Sequence, residues 1–271
     1  MLDYESIRRI VIKIGTTTLT HDNGNLNLKR IAKLSWILSD LQSQGKEIIL
    51  VSSGAIAVGT KRLGLDKRPR DIKGKQATSA VGQAVLMQIY QNMFLEYNQN
   101  VAQILLTRDV MEEEVKKRNA RNTFFTLLEM GVIPIVNEND TVSTDELEFS
   151  DNDTLSAYVA CLIESDLLII LSDIDGIYSE DPKKNPSAEK FDIIEKIDDN
   201  IKKLAGVSAN DFGTGGMITK INAAEMASNY GIKTVIANGD DPLNIFKILD
   251  GEKIGTLILE NREQGIGNRE Q

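Results

Sequence analysis

Lysines, carboxylates and glycines carry what chemistry this chain can do, because its 271 residues include one histidine, His21, and one cysteine, Cys161. The densest group is Gly213-Thr214-Gly215-Gly216-Met217-Ile218-Thr219-Lys220. Three glycines in four positions allow a sharp turn that brings backbone N–H groups up to an anion, with no Cβ in the way. Ile221, Ala224, Glu225, Ala227 and Ser228 follow at helical spacing, so the loop is expected to open a helix whose positive dipole end faces that anion. A phosphate is the expected guest. Taken alone, the loop reads equally well as a flexible turn: it is not a Walker loop, and no Gly-x-Gly-x-x-Gly follows a strand.

A second ammonium, Lys13, stands near the end of the β-branched run Arg9 to Ile14, just before the hydroxyl-rich turn Gly15-Thr16-Thr17-Thr18. Carboxylates cluster in Asn137-Glu138-Asn139-Asp140, Asp151-Asn152-Asp153 and Ser172-Asp173-Ile174-Asp175. Two lysines, glycine-bearing turns and carboxylates make a poor hydrolase and suit phosphoryl transfer, which asks for positioning and for positive charge around the moving oxygens. Lys13 and Lys220 are expected on either side of the transferring group, with Asp153 holding both. The plainer alternative, that Lys13 only ends a strand and Asp153 only caps a helix, stays open from each segment alone.

Composition narrows the field. The formal net charge of −9 disfavours wrapping a nucleic-acid backbone. The basic run Lys61, Arg62, Lys67, Arg68, Arg70, Lys73 and Lys75 is either a solvated loop or a flap near anionic substrates. A lone cysteine leaves no disulfide framework or zinc cluster, and Cys161 reads as an inert core thiol. His21 reads as a surface-loop residue. The Asp-rich turn after residue 171 lacks the spacing of a calcium loop. With no membrane-length apolar run and no signal-peptide core, a cytoplasmic protein is expected.

The elements that must position these groups alternate between strand and helix. Strands are expected at Arg9 to Ile14, Glu47 to Val51, Val101 to Leu106, Val132 to Val136, Asp166 to Leu171, Phe191 to Ile197, Thr234 to Ala237 and near Thr256 to Leu259. Helices are expected through Ile31 to Leu41, with Trp36 at the edge of the buried stripe and Gly45 as the stop, then to about Leu63. Ala77 to Leu95 should form one or two helices around the breaker Gly82, followed by helices up to Gly131, from Leu155 to Ile163 and near Ile245 to Leu249. Thr141 to Phe149 reads as a hairpin and Asp181 to Pro186 as a turn. The pattern implies an α/β fold, a mainly parallel sheet covered on both faces, with ligands at the carboxyl ends of the strands. Lys13, Ser53, Asp140 and Asp173 all fall at or just past strand ends.

Together these residues resemble the amino acid kinase family, on the branch that phosphorylates glutamate. The resemblance lies in Val11-Ile12-Lys13-Ile14-Gly15, Val51-Ser52-Ser53-Gly54-Ala55-Ile56-Ala57, Lys75-Gln76-Ala77 with Val81-Gly82-Gln83, Leu106-Thr107-Arg108, Asn119-Ala120-Arg121-Asn122-Thr123, Pro134-Ile135-Val136-Asn137-Glu138-Asn139-Asp140, Asp151-Asn152-Asp153-x-Leu155-Ser156-Ala157 and the glycine loop. It implies a three-layer α/β/α sandwich that moves the γ-phosphoryl of ATP to the side-chain carboxylate of L-glutamate, the first step towards proline. It implies Lys13, Lys220 and Asp153 as catalytic residues, and Ser53, Asp140 and Asn152 around glutamate, with Asp140 facing its ammonium. ATP would lie against Lys13, Gly15, Ser172, Asp173, Thr214, Gly215, Gly216, Met217, Ile218, Thr219 and Lys220.

Mg²⁺ is expected with ATP, held by phosphate oxygens and waters and not by a protein cage. Also implied are proline as feedback inhibitor, a homo-oligomer, and hand-off of the acyl phosphate to glutamate-5-semialdehyde dehydrogenase. A single domain over residues 1–259 is expected, its N-terminal part mainly for the amino acid and its C-terminal part mainly for ATP. A polar, disordered tail over 260–271 and no added C-terminal PUA domain complete the expectation. Two other readings stand beside this one: a kinase of the same fold for acetylglutamate, carbamate, aspartate or a nucleoside monophosphate, and a non-catalytic sensor.

Overall fold

Short runs of Ile, Leu and Val alternate with longer helical segments, and in this computed structural model they form one sheet with helices on both faces. The structure describes residues 5–21, 23–143, 151–180, 182, 185, 187–207 (205–207 by backbone alone) and 216–261. In chain order the elements are β1 (Arg9–Ile14), α1 (Thr16–Leu19), α2 (Leu28–Ser43), β2 (Glu47–Val51), α3 (Ala55–Arg62), α4 (Ile72–Leu95), β3 (Val101–Leu106), α5 (Asp109–Glu112) and α6 (Glu114–Glu129). They continue with β4 (Ile133–Glu138), α7 (Asn152–Leu162), β5 (Leu167–Ser172), β6 (Ile193–Ile194), α8 (Asp199–Val207), α9 (Met217–Asn229), β7 (Lys233–Asn238), α10 (Asn244–Leu249) and β8 (Thr256–Ile258).

Among the described residues the sheet runs β3-β4-β2-β1-β5-β7-β8-β6. The pairings from β3 across to β7 are parallel, and the direction reverses only where β8 meets β7. The carboxyl ends of six strands therefore share one edge, as the strand–helix alternation requires. β1 lies inside the sheet, with Lys13 in register with Val51 of β2 and Ile170 of β5. Its side chains alternate: Ile10, Ile12 and Ile14 join the core under α2, α4 and α10, whereas Val11 joins the core under α6, α7 and α9. Lys13 shares the parity of Val11 and so points toward α7 and α9.

Helix α7 is held at both ends. Asp151 caps its start by accepting from the Thr154 amide at 2.9 Å. At its far end, Arg9 donates to the Ile163 carbonyl at 2.6 Å and Arg121 to that of Leu162 at 3.1 Å, placing guanidinium charge where carbonyls lack helical partners. Both guanidiniums lie over the ring of Phe125, 4.7 and 5.0 Å from its centre. Trp36 is at the rim of the α2 stripe, 41% exposed and edge-on to Phe246 at 5.8 Å.

Helices α3 and α4 meet backbone to backbone. A Cβ on Gly82 would lie 1.8 Å from the carbonyl oxygen of Ala55, and one on Gly59 would lie 1.8 Å from that of Thr78. Gly82 is thus no helix breaker: α4 is one continuous 24-residue helix, and the glycine lets its neighbour approach.

Several expected boundaries shift. Helix α4 starts at Ile72, capped by Asp71, so Lys73 and Lys75 of the basic run are helical, and Lys61 and Arg62 belong to α3. The strand expected over Phe191 to Ile197 is reduced to Ile193–Ile194, and α1, α5 and α8 were not anticipated. Most of the expected hairpin (144–149), four residues of the expected turn (181, 183, 184 and 186) and all but two residues of the expected tail (262–271) lie outside the described residues.

Because backbone atoms and not flexible side chains fill the space, Gly82→Ala is expected to destabilise the fold by about 3 kcal/mol, the upper end for overpacking. Urea melts of the two proteins would measure it, and a loss under about 0.5 kcal/mol would show that the two helices can separate without cost.

Candidate active site

Three elements that are far apart in sequence meet at one carboxylate. Asp153, in the first turn of α7, receives Lys13 of β1 at 2.5 Å on Oδ1 and Lys220 of α9 at 2.9 Å on Oδ2. Thr219 adds a hydroxyl donor to Oδ2 at 3.1 Å. The side chains of Lys13, Asp153 and Lys220 are 8%, 1% and 6% exposed, so the charges lie nearly out of solvent. Burial by itself would raise the pKa of Asp153, but the charges and hydrogen bonds of Lys13 and Lys220 outweigh it and hold the carboxyl below its ordinary value.

The helix cap is Asp151, so Asp153 has no capping role. Burial is the main cause that raises the Asp151 pKa, and the Asp153 charge beside it adds to the shift. Lys220 sits in the first turn of α9, against the positive end of that helix, a placement that opposes the dipole and is tolerated because Asp153 neutralises it.

Gly15, directly after β1, lies beside the Lys13 ammonium; a Cβ there would stand 3.7 Å from Nζ, an ordinary contact. Gly54, between β2 and α3, takes φ +92°, a left-handed turn that glycine makes at little cost. That turn presents Ser53, which accepts from Asn152 Nδ2 at 2.9 Å. The same nitrogen lies 2.9 Å from the Ser52 carbonyl and 3.0 Å from Asn137 Oδ1. Asp140, just past β4, accepts from Ser79 of α4 at 2.5 Å. Ser53, Asn152 and Asp140 thus share the edge that carries Asp153.

On the other side of β1, Ser172 ends β5 and its hydroxyl donates to Asp173 at 2.9 Å. Gly239, after β7, donates to the Ser172 carbonyl at 2.7 Å, close enough to Thr18 that a Cβ would lie 2.8 Å from its methyl. Gly216, Met217, Ile218, Thr219 and Lys220 begin α9, with Gly216 at its N-cap, and no atom of the described residues lies within 4 Å of where a Cβ there would project. Gly213, Thr214 and Gly215 lie outside the described residues.

Roles for polar residues of α4 are what the sequence reading missed, although Gln76 and Gln83 stand in the motifs that carry the resemblance. Gln76 donates to the Ser143 carbonyl at 3.0 Å, Gln83 accepts from Asn137 at 2.8 Å, and Tyr90 meets the Ser52 hydroxyl at 2.9 Å. Their spacing, with Ser79, follows one helical face, which is the signal that could have marked them. Burial raises the Tyr90 pKa to about 12 although the Ser52 hydrogen bond lowers it, so the phenol stays neutral.

Cys161 is partly buried, and burial raises its pKa to about 12, which keeps the thiol protonated at neutral pH. His21 is exposed, on the rim of a shallow cavity of about 590 Å³ whose lining includes neither lysine of the site. Among the described residues no helix is long and apolar enough to cross a membrane.

The sequence matches the amino acid kinase family over residues 8–238. It is 51% identical over 259 residues to the glutamate 5-kinase of Clostridium perfringens, covering 94% of this chain and 96% of that one. It is also 51% identical over 261 residues to the glutamate 5-kinase of Listeria monocytogenes, covering 95% of each. Among solved structures it is similar to the UMP kinase of Bacillus anthracis, with a TM-score of 0.62 at 19% identity over 94% of this chain and 97% of that one, a likeness of fold.

Asp153→Asn leaves two buried ammoniums with no countercharge and is expected to cost about 3–5 kcal/mol of stability at pH 7. The Asp153 pKa is depressed in the folded protein, so its contribution is complete above the unfolded carboxylate value near ~3.9 and is lost as pH falls through the folded value. Urea melts should therefore show a constant gap between wild type and Asp153→Asn from pH 7 to about 5 and a narrowing gap below about 4; a gap that widens in acid would contradict the assignment.

Proposed function

The chain belongs to the amino acid kinase family, and we propose on that footing that it transfers the γ-phosphoryl group of ATP to the γ-carboxylate of L-glutamate, releasing ADP and γ-glutamyl phosphate. The observation that carries phosphoryl transfer is the single buried carboxylate shared by Lys13 and Lys220. The choice of acceptor rests on half-identity to glutamate 5-kinases along nearly the whole chain.

In this reading a γ-carboxylate oxygen of glutamate attacks the γ-phosphorus while the bond to the β,γ-bridging oxygen breaks and its electron pair leaves with ADP. The acceptor is already ionised at neutral pH, so no general base is needed and no covalent enzyme intermediate forms. Negative charge leaves the acceptor carboxylate and builds on the leaving oxygen of ADP, and Lys13 and Lys220 supply positive charge around the moving group from β1 and from α9. Asp153 fixes both ammoniums before substrates arrive, so little reorganisation remains for the reaction itself. Ser53 and Asn152 hold the glutamate, Asp140 faces its ammonium, and Gly15, Ser172, Asp173 and the segment Thr214 to Lys220 take the nucleotide.

The donor set at the cleft fits phosphate better than a divalent cation. Of its buried carboxylates, Asp153 is already shared by two ammoniums and Glu138 accepts from Ser143, and no group of three acidic, histidine or cysteine side chains gathers among the described residues. Magnesium belongs in this reading on the phosphate oxygens of ATP, where it neutralises charge, and no step is routed through a protein-held metal. The wider reading, a cytoplasmic, single-domain, homo-oligomeric enzyme inhibited by proline that passes its acyl phosphate to glutamate-5-semialdehyde dehydrogenase, rests on the family resemblance.

Lys13→Ala and Lys220→Ala are each expected to lower kcat at least about 10²-fold, the scale for removing one preorganised charge donor. Asp140→Ala should chiefly raise the KM for glutamate; an unchanged KM would remove Asp140 from the substrate site. ADP release measured over glutamate, acetylglutamate, carbamate, aspartate and nucleoside monophosphates tests the acceptor, and faster turnover of any other would overturn the choice of glutamate. Trapping with hydroxylamine should give the hydroxamate of an acyl phosphate, which a non-catalytic sensor would never yield.

A further inference from the structure

The hydrogen bonds beneath Ser53 have a direction, and it is dictated by two backbone groups. The Glu138 amide can only donate, and it lies 2.9 Å from Asn137 Oδ1, so that side-chain atom must be oxygen. The other end of the Asn137 amide is then the NH₂ group, 2.8 Å from Gln83, which must present its oxygen. The Ser52 carbonyl can only accept, so the Asn152 atom 2.9 Å away must be nitrogen. That nitrogen also lies 2.9 Å from Ser53 Oγ and 3.0 Å from Asn137 Oδ1, and its two protons are shared among the three acceptors.

An amide nitrogen accepts nothing, so the Ser53 hydroxyl receives from Asn152 and keeps its own proton. Among the described residues no carbonyl or carboxylate takes that proton. Gln83, Asn137 and Ser53 are 7%, 2% and 7% exposed, so water does not compete freely along the chain.

From this geometry we infer that Gln83 is a positioning residue: by accepting from Asn137 it reinforces the sense that the two backbone groups set, the sense that leaves Ser53 a donor aimed at the acceptor carboxylate. If Asn137 turned over, its NH₂ would face the Glu138 amide and the Asn152 nitrogen, donor against donor, and Asn152 would lose one of its holds. A serine free to rotate presents lone pairs to an anion as readily as it presents a proton. Gln83 never meets the substrate, and its position in α4 is fixed by the close contact of Gly82 with α3 one residue earlier. The inference rests on the reading of glutamate as acceptor.

The test measures the KM for glutamate, the KM for ATP and kcat in Gln83→Met, Gln83→Glu, Ser53→Ala and the double variant Gln83→Met/Ser53→Ala. Gln83→Met removes the acceptor at similar volume and should raise the glutamate KM about tenfold, the scale of one misdirected hydrogen bond to a charged group. The ATP KM and kcat should stay within about twofold. Gln83→Glu still offers an oxygen to Asn137 and should recover most of that loss. In the Ser53→Ala background, Gln83→Met should add almost nothing, because its effect passes through the serine.

Additive effects of the two substitutions, or a glutamate KM that Gln83→Met leaves unchanged, would overturn the inference. If Gln83→Met does not fold, Gln83→Asn, one methylene too short to reach, carries the same expectations. Wild type that turns over no glutamate is a different result: it removes the acceptor reading itself, and this inference with it.

Discussion

A carboxylate taken out of water between two ammonium groups is the interaction on which the rest of this structure depends. None of the three charges is stable there alone, since an ion without its partner in a site this buried costs several kcal/mol. Together they leave one net positive charge at the carboxyl edge of the sheet. The excess is the useful quantity, because a site that must attract a polyphosphate and stabilise charge moving through it needs positive charge that is held still. The fold supplies the stillness: a strand inside the sheet brings Lys13, and two helices packed on the same face bring Asp153 and Lys220.

Helix α7 shows how local structure serves that interaction. Its amino end carries Asp153 within reach of the helix dipole's positive pole, and its carboxyl end is covered by two arginines. Asp151 satisfies the first turn, which frees Asp153 to turn inward. The two aspartates, two residues apart, therefore have opposite pKa shifts in one helix start: Asp151 is pushed up mainly by burial, and Asp153 is pulled down by its lysines against burial.

The charged centre was legible in the sequence because its residues are out of place there. A lysine inside a run of Ile and Val, and another just after three glycines, break the pattern of their surroundings, and the fold class followed from the spacing of strands and helices. The acceptor side was less legible. Gln76, Ser79, Gln83 and Tyr90 share one face of α4, but spacing does not say what that face meets, and only tertiary contact shows that it meets strand ends. Gly82 read as a breaker because propensity counts the missing side chain as a cost, whereas here the missing atoms are the point of contact. The strand near Ile193 shrank because its apolar run pairs along two residues only, at the sheet's edge beside β8, whose antiparallel turn no alternation pattern foretells.

The contact between Gly59 and Gly82 also bears on how such an enzyme can diversify. In the proposed acceptor site α4 stands beside Ser53, Asn152 and Asp140, and its distance from α3 is set by main-chain atoms. Exchanging side chains at 76, 79 or 83 redraws the chemistry of that face without moving its backbone. The two glycines are therefore what holds the backbone of that face still while its side chains vary.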